Sequence, residues 1–272
     1  MSGAAHPTLA FIGCGRITRA LVQGLVGAGH PAHLLRGVSR SGAGALALSR
    51  EFGITAVDGS ADAVRGADIV VLAVHPHQTP EALAALSGLL GPEQTLLSLV
   101  ASWRTEAVAA PLPGVPVVRA VPNVGVGVRA GATVFSAGPR TDASRLRAVE
   151  QLFAPLGETL TVAEELLETV SAVSGAGPAL VAHFARSLAG AGVAQGLDER
   201  TAAVLAAHAV RSTGALLAQD AMTVDAVIDS VASPGGMTEA ALRVLDADEV
   251  PAAARRAVDA AVRLSMGRLA RA

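Results

Sequence analysis

Short apolar runs alternate with helical patterns through the first half of the chain. A buried strand is a short apolar run, whereas an amphipathic helix repeats its apolar positions three and four residues apart. The strands predicted on this basis cover residues 8–12, 34–39, 54–57, 68–74, 95–100 and 116–120. The intervening helices cover 15–28, 43–52, a short stretch before residue 68, and 79–90. This alternation predicts a parallel sheet covered by helices on both faces.

The pattern becomes almost wholly helical in the second part of the chain. Asp198 and Thr223 stand where N-cap residues are expected, each directly before a helical pattern. The predicted helices cover residues 166–171, 178–195, 199–218, 224–231, 238–245 and 251–269. We therefore predict an α/β domain over residues 1–162 and an all-α domain over residues 163–272.

The helices of the second domain are apolar on nearly every side. Small and apolar residues dominate 180–194 and 202–210, and a helix of this kind is normally buried. A domain of this size has too few layers to bury several such helices alone. The pattern favours association of identical chains through the helical domain, as a homodimer or a larger assembly, with a compact monomeric bundle as the alternative.

Composition excludes several kinds of chemistry. Among 272 residues, the 21 basic side chains are all Arg, and there is no Lys and no Tyr. The chain therefore has no Schiff-base Lys and no phosphate-loop Lys, and neither Lys nor Tyr is present for proton transfer. A formal net charge of −2 gives no basic face for nucleic acid, so no nucleic-acid partner is expected.

The sequence also indicates the cellular compartment in which the protein is expected. Residues 1–7 carry neither a charged region nor an apolar run, so we expect no signal peptide. No uninterrupted apolar stretch reaches the ~18 residues of a membrane span, so no membrane partner is expected. The single cysteine, Cys14, fits a reducing compartment. We predict a cytoplasmic protein.

A glycine pair lies between the first predicted strand and its helix. Gly13 permits a tight turn, and Gly15 allows the backbone to approach a pyrophosphate. The first helical residues, Arg16 and Ile17, then present free N–H groups to the anion. Thr18 stands where the usual fingerprint has a third Gly or an Ala. The position of this turn predicts a Rossmann-like dinucleotide-binding domain.

The end of the second predicted strand indicates which dinucleotide is preferred. NAD-binding sites usually have an acidic residue there, which accepts hydrogen bonds from the ribose hydroxyls. Here Ser39 and Arg40 follow the strand, and hydroxyl and guanidinium groups suit a 2′-phosphate. NADPH is therefore favoured, with NADH possible. The alternative is that Arg40 is an ordinary solvated loop residue.

Four further motifs follow in order along the chain. They read VLAVHPH at 71–77, RAVPN at 119–123, VSGAGPA at 173–179 and SPGGMT at 233–238. With the glycine turn and the helical second half, they make the chain resemble the pyrroline-5-carboxylate reductase family, the last enzyme of proline biosynthesis. The resemblance covers essentially the whole chain.

The resemblance assigns roles in both domains. In the first domain it implies that Ala73, Val74, His75 and Pro76 pass beside NAD(P)H and that Asn123 lies near the nicotinamide. It further implies that the second domain pairs with that of another subunit, and larger rings of dimers are common in the family.

The resemblance also gives the SPGGMT turn a role in binding a cyclic imino acid. It implies that Ser233, Gly235, Gly236 and Met237 receive the substrate carboxylate, with Thr238 as the catalytic residue near the imine nitrogen. Independently of the family, a Gly-Gly turn that opens a helix offers N–H groups to a carboxylate. An ordinary helix-capping turn is the alternative.

Three positions depart from the family pattern. His75 stands where the family usually has Lys, Val124-Gly125 replaces a polar residue followed by Pro, and Leu180 replaces Tyr. His75 and His77 do not form a convincing metal site without nearby acids or Cys, so no metal is expected. These departures leave open a different cyclic imine as the substrate.

Hydride addition to a protonated imine asks little of side chains, since the protein mainly supplies orientation and a dry pocket. The resemblance implies an NADPH-dependent reductase that converts 1-pyrroline-5-carboxylate to L-proline, and this chemistry is open to a chain without Lys or Tyr. The alternatives are a reductase of another cyclic imine and a non-catalytic dinucleotide sensor. The β-hydroxyacid dehydrogenases are disfavoured because they depend on a Lys in the second domain.

Overall fold

The computed structural model describes residues 6–219 and 222–269, and its first part is built on one eight-stranded sheet. The strands are β1 (Leu9–Ile12), β2 (Leu35–Val38), β3 (Thr55–Ala56), β4 (Ile69–Leu72), β5 (Thr95–Ser98), β6 (Val117–Pro122), β7 (Gly131–Ala137) and β8 (Gly157–Thr161). Their order in the sheet is β3-β2-β1-β4-β5-β6-β7-β8. The first six follow the doubly wound order of dinucleotide-binding sheets.

Twelve α-helices accompany the sheet or follow it within the described residues. They are α1 (Arg16–Gly27), α2 (Ala43–Phe52), α3 (Ser60–Val64), α4 (Thr79–Leu86), α5 (Thr105–Ala109), α6 (Ala143–Phe153), α7 (Leu167–Val170), α8 (Gly177–Ala194), α9 (Glu199–Leu217), α10 (Val224–Val231), α11 (Met237–Ala247) and α12 (Val250–Leu269). Short 3-10 segments and one π-helical turn connect them, at Ala32–Leu34, Pro76–Gln78, Val124–Val128, Ala154–Leu156, Glu164–Leu166 and Ser171–Gly175. In the part of the chain described here, each helix is too short or too polar to cross a membrane.

The predicted α/β-then-helical architecture is confirmed, with one correction to the sheet. β6 and β7 pair in antiparallel fashion, whereas the other neighbouring strands are parallel. The sequence pattern also missed β7, α6 and β8. β8 has the sequence GETLT and is largely exposed at the sheet edge, so it lacks the apolar run by which buried strands are recognised.

Alternate residues of the central strands enter two separate cores, one on each face of the sheet. In β1, Leu9 and Phe11 pack on one face, whereas Ala10 and Ile12 pack on the other. Because both faces are covered, the strands are continuous apolar runs, as the sequence indicated.

The chain divides into two compact units. One comprises Met1–Gly175 with Ala261–Ala272, and the other comprises Ala176–Ala260. The boundary predicted at residues 162 and 163 falls inside the first unit, and as a division of function it stays a prediction. We call the two parts the nucleotide unit and the helical unit.

A buried ion pair lies in the nucleotide unit. Arg119 of β6 donates to Glu168 of α7 over 2.5 Å, and both side chains are only 3% exposed. Glu164 lies 3.7 Å from the same guanidinium. Ser265 of α12 donates a hydrogen bond to Glu168, and Ser102 lies 3.2 Å from the Ser265 hydroxyl. The network therefore joins segments that are far apart in sequence.

Removal of one partner should destabilise the fold because it leaves the other charge buried and unpaired. We expect Glu168→Ala to lower the free energy of unfolding by about 3 kcal/mol. Urea denaturation at a fixed protein concentration measures the effect. Glu165→Ala is the matched control, since Glu165 is exposed and makes no ion pair with the described residues. Equal midpoints for the two variants would contradict the structural role of the pair.

The helical unit has almost no core of its own. Among its described residues only Ala202 and Ala206 are buried. Its exposed apolar side chains include Leu180, Val181, Phe184, Leu188, Val193, Val204, Leu205, Val231, Met237 and Val244. An apolar surface of this extent marks a contact surface for another protein, in agreement with the predicted self-association.

A charge introduced on this surface should weaken self-association. Leu205 is 55% exposed on α9, so we expect Leu205→Asp to shift the protein toward a smaller assembly. Light scattering coupled to size exclusion measures the mass. Leu46→Asp is the control, because Leu46 is similarly exposed, at 50%, in the nucleotide unit. An unchanged mass for Leu205→Asp would argue against this surface.

Candidate functional site

A cleft of about 520 Å³ opens at the carboxyl ends of β1, β2 and β4. From β1 the chain proceeds to β2 and β3 on one side, and β4 then pairs with β1 on the other side. This is the topological switch point at which open α/β sheets bind their ligands.

The two glycines of the first turn have different tasks. Gly13 has φ +99°, and a Cβ there would lie 2.5 Å from the carbonyl oxygen of Ala73, so a side chain is excluded. At Gly15 a Cβ would meet no atom within 4 Å, which leaves open space beside the backbone. Gly15 is also the N-cap of α1 and provides no side-chain acceptor for the first-turn N–H groups. The turn therefore fits a pyrophosphate.

Thr18 accounts for the departure from the usual glycine fingerprint. Its side chain is fully buried, and its hydroxyl donates to the carbonyl oxygen of Gly13 over 2.7 Å. The hydroxyl thus fixes the turn from within α1.

The end of β2 provides the groups predicted to recognise a 2′-phosphate. Ser39 and Arg40 both line the cleft. The Ser39 hydroxyl accepts a hydrogen bond from the N–H of Ala45 over 3.2 Å, so it also supports the start of α2. Arg40 is exposed, and its guanidinium makes no hydrogen bond or ion pair with the described residues. It can therefore turn toward an anion without losing an existing contact.

His75 lies on the opposite wall of the cleft, after β4. Its backbone N–H donates to the side chain of Gln78 over 3.2 Å. Its ring stacks on that of His77, with centroids 5.8 Å apart and planes 11° apart. Across the described ranges no three His, Cys, Asp or Glu side chains are grouped closely enough to hold a metal ion.

The cleft brings together most of the predicted cofactor residues, though not all of them. Gly13, Gly15, Ser39, Arg40, Ala73, Val74 and His75 line it. Arg16, Ile17, Pro76 and Asn123 do not. Their predicted contacts with the cofactor stay predictions.

Several lining residues were not singled out from the sequence. They include Cys14, Gly44, Asp58, Ser60, Gln78 and Glu81. Asp58 lies two residues beyond the end of β3, so the rule that ligands bind at the carboxyl ends of strands could have indicated it. A Cβ at Gly44 would lie 2.7 Å from the carbonyl oxygen of Cys14, a close approach that only the folded chain reveals.

Cys14 is not a reactive nucleophile in this site. Burial raises the pKa of its thiol to about 11. Since the thiolate is the nucleophile, the side chain is unreactive near neutral pH. It contributes to the wall of the cleft.

Asn123 is engaged by the protein itself. Its side-chain oxygen accepts from the N–H of Gly125 over 3.0 Å, and its amide nitrogen donates to Ser174 over 3.2 Å. A Cβ at Gly125 would lie 2.8 Å from the carbonyl oxygen of Ala130, which explains the glycine at this departure from the family pattern. Asn123 therefore shapes the loop that follows β6.

In the helical unit, the SPGGMT motif forms the predicted turn before α11. Gly235 has φ +73°, and the N–H of Gly236 donates to the carbonyl oxygen of Ser233 over 2.9 Å. Met237 is 89% exposed and Thr238 is half-buried. Gly236 is the N-cap and provides no side-chain acceptor, so the first-turn N–H groups remain available to an anion.

Glu239 is a residue of this turn that the sequence reasoning missed. Its carboxylate accepts a hydrogen bond from the N–H of Gly235 over 2.6 Å. It also pairs with Arg243 at 2.8 Å. An acidic residue in the first turn of a helix was the available signal.

The sheet order and the cleft define a Rossmann-like, dinucleotide-binding fold. Residues 8–102 match the family described as "NADP oxidoreductase coenzyme F420-dependent", and residues 164–267 match "Pyrroline-5-carboxylate reductase dimerisation". Over 96% of its length the chain is 35% identical to the pyrroline-5-carboxylate reductase of Mycobacterium tuberculosis, of which it covers 95%. The chain belongs to the pyrroline-5-carboxylate reductase family.

Solved structures agree with the fold. A pyrroline-5-carboxylate reductase from Coxiella burnetii is 28% identical, with a TM-score of 0.89 over 97% of this chain and 99% of that one. A pyrroline carboxylate reductase from Plasmodium falciparum, solved with NADP bound, is 23% identical, with a TM-score of 0.86 over 98% and 99% of the two chains.

Arg40 provides a direct test of the cofactor preference. We expect Arg40→Gln to raise the KM for NADPH about tenfold, since a charged hydrogen bond to phosphate is worth more than a neutral one. The KM for NADH should change little. Arg50→Gln, an exposed change in α2, is the control. Equal changes in KM for NADPH and NADH would show that Arg40 does not recognise the 2′-phosphate.

Proposed function

We propose that this protein reduces 1-pyrroline-5-carboxylate to L-proline with NADPH. Family membership at 35% identity over 96% of the chain is the observation that carries the proposal. NADPH supplies a hydride for the imine carbon when bound. The residues of the chain bind, orient and shield the reactants.

The nucleotide unit fits the cofactor at three points. The Gly13–Gly15 turn and the start of α1 offer N–H groups to the pyrophosphate, and Arg40 and Ser39 offer donors to a 2′-phosphate. Ala73 to Pro76 form the wall beside the cofactor in this proposal. The related Plasmodium falciparum protein with NADP bound supports the choice of NADPH.

The turn before α11 is proposed to receive the substrate. N–H groups at Met237 and Thr238 hold the carboxylate, with Ser233, Gly235 and Gly236 setting their geometry. The Thr238 hydroxyl contacts the imine nitrogen, directly or through water. It orients the protonated imine, which is already electrophilic.

The assembly and compartment complete the proposal. The chain carries the dimerisation region of its family, and we propose that dimers join through the helical unit and assemble further into rings. A cytoplasmic location agrees with the single, unreactive cysteine.

The decisive assay follows NADPH oxidation with 1-pyrroline-5-carboxylate and then with a panel of other cyclic imino acids. Turnover of 1-pyrroline-5-carboxylate at the highest kcat/KM is expected. Preference for an imino acid with a six-membered ring would favour the alternative, a reductase of another cyclic imine. The apolar, exposed side chains of Val124 and Leu180 make this alternative worth testing. Cofactor binding without turnover of any imine would indicate a sensor.

Thr238 is the catalytic residue to test. Loss of its hydroxyl in Thr238→Ala should lower kcat about one to two orders of magnitude, because the protonated imine nitrogen loses a hydrogen bond to a charged group. Thr238→Ser keeps the hydroxyl and should retain most of the activity. Stopped-flow or steady-state measurement of NADPH oxidation gives kcat for both variants. Wild-type kcat in Thr238→Ala would rule out the assigned role.

A further inference from the structure

The turn that is proposed to receive the substrate carboxylate already holds a carboxylate of the chain itself. The N–H of Gly235 donates to Glu239 Oε2 over 2.6 Å, a short hydrogen bond to a charged acceptor. The other oxygen of Glu239 accepts from Arg243 Nη2 over 2.8 Å. The Arg243 guanidinium and the Gly235 N–H together hold the pKa of Glu239 below its ordinary value. Glu239 is therefore an anion at neutral pH.

Both glycine N–H groups of the turn are occupied. The Gly235 N–H binds Glu239, and the Gly236 N–H binds the carbonyl oxygen of Ser233. An incoming carboxylate that binds the free N–H groups of Met237 and Thr238 must do so beside a charged side chain on the same helical turn. It must either displace the Glu239 carboxylate from Gly235 or bind against its repulsion.

We propose that Glu239 is an internal competitor of the substrate carboxylate and sets the substrate affinity of this site. The inference rests on the proposed function, since it concerns the carboxylate of the imino acid. Arg243 lies one helical turn beyond Glu239 and holds the displaced side chain in its salt bridge. The turn thus exchanges one carboxylate for another.

A helix cap without a role in binding is the competing explanation. An acidic residue three positions into a helix commonly accepts a backbone N–H near the N-cap, and this stabilises the helix. Such a cap changes the melting temperature when removed, but it leaves substrate affinity unchanged. The KM for the imino acid therefore separates the two explanations.

The experiment compares Glu239→Gln with wild type in steady-state kinetics with 1-pyrroline-5-carboxylate and NADPH. Gln keeps the shape and a neutral acceptor for the Gly235 N–H, but removes the charge. We expect KM for the imino acid to fall about fivefold, the effect of one modest hydrogen bond, with a smaller change in kcat. Glu239→Ala should lower KM at least as much. Glu199→Gln, an exposed acid in the first turn of α9, is the matched control and should keep the wild-type KM.

A second measurement does not depend on turnover. Calorimetric titration of the NADP-loaded protein with L-proline should show a Kd about fivefold lower in Glu239→Gln than in wild type. If KM and Kd are unchanged or raised in Glu239→Gln, the inference is overturned. The proposed function still stands in that case, provided that the wild-type protein reduces 1-pyrroline-5-carboxylate. Absence of imine reduction by the wild-type protein would instead overturn the proposed function. Thermal melting of each variant shows that the compared proteins are folded.

Discussion

The ion pair between Arg119 and Glu168 fixes the part of the nucleotide unit from which the loop after β6 departs. Two charges removed from water are tolerated only when each satisfies the other, so β6 and α7 are held in one arrangement. Asn123, four residues beyond Arg119, then uses its side chain to shape the following loop. Val126 of that loop lies against Gly24 of α1, where a Cβ would be 2.2 Å from the Val126 carbonyl oxygen. These contacts thus hold in place α1, the helix that begins at the glycine turn.

A protein without Lys recognises anions mainly by its backbone and by Arg. Both predicted anion sites are turns at the start of a helix whose N-cap is a glycine, Gly15 in one unit and Gly236 in the other. A glycine at the N-cap leaves the first N–H groups without an internal acceptor, at a small cost in helix stability. This arrangement explains how reductase chemistry can be organised with few ionisable groups. Of the residues that commonly transfer protons, the composition excludes Lys and Tyr.

The sequence predicted the fold class, the sites of the two turns and the apolar nature of the helical unit. These features depend on local patterns: buried runs, N-cap residues such as Asp198 and Thr223, and glycines at strand ends. It did not predict β8, which is largely exposed at a sheet edge, or the antiparallel pairing of β7 with β6. It also missed the side-chain partners of Asn123 and Glu239. Hydrogen bonds of this kind depend on the distance between segments, which residue types alone do not specify.

Among the described residues of the helical unit, only Ala202 and Ala206 are buried. The stability of this unit therefore depends on the protein concentration. A unit with so small a core gains stability from contacts with a second copy, so the ordered state is favoured by mass action. Its apparent stability therefore rises with the amount of protein present. Folding and assembly of the helical unit are thus coupled, and dilution of the protein weakens both.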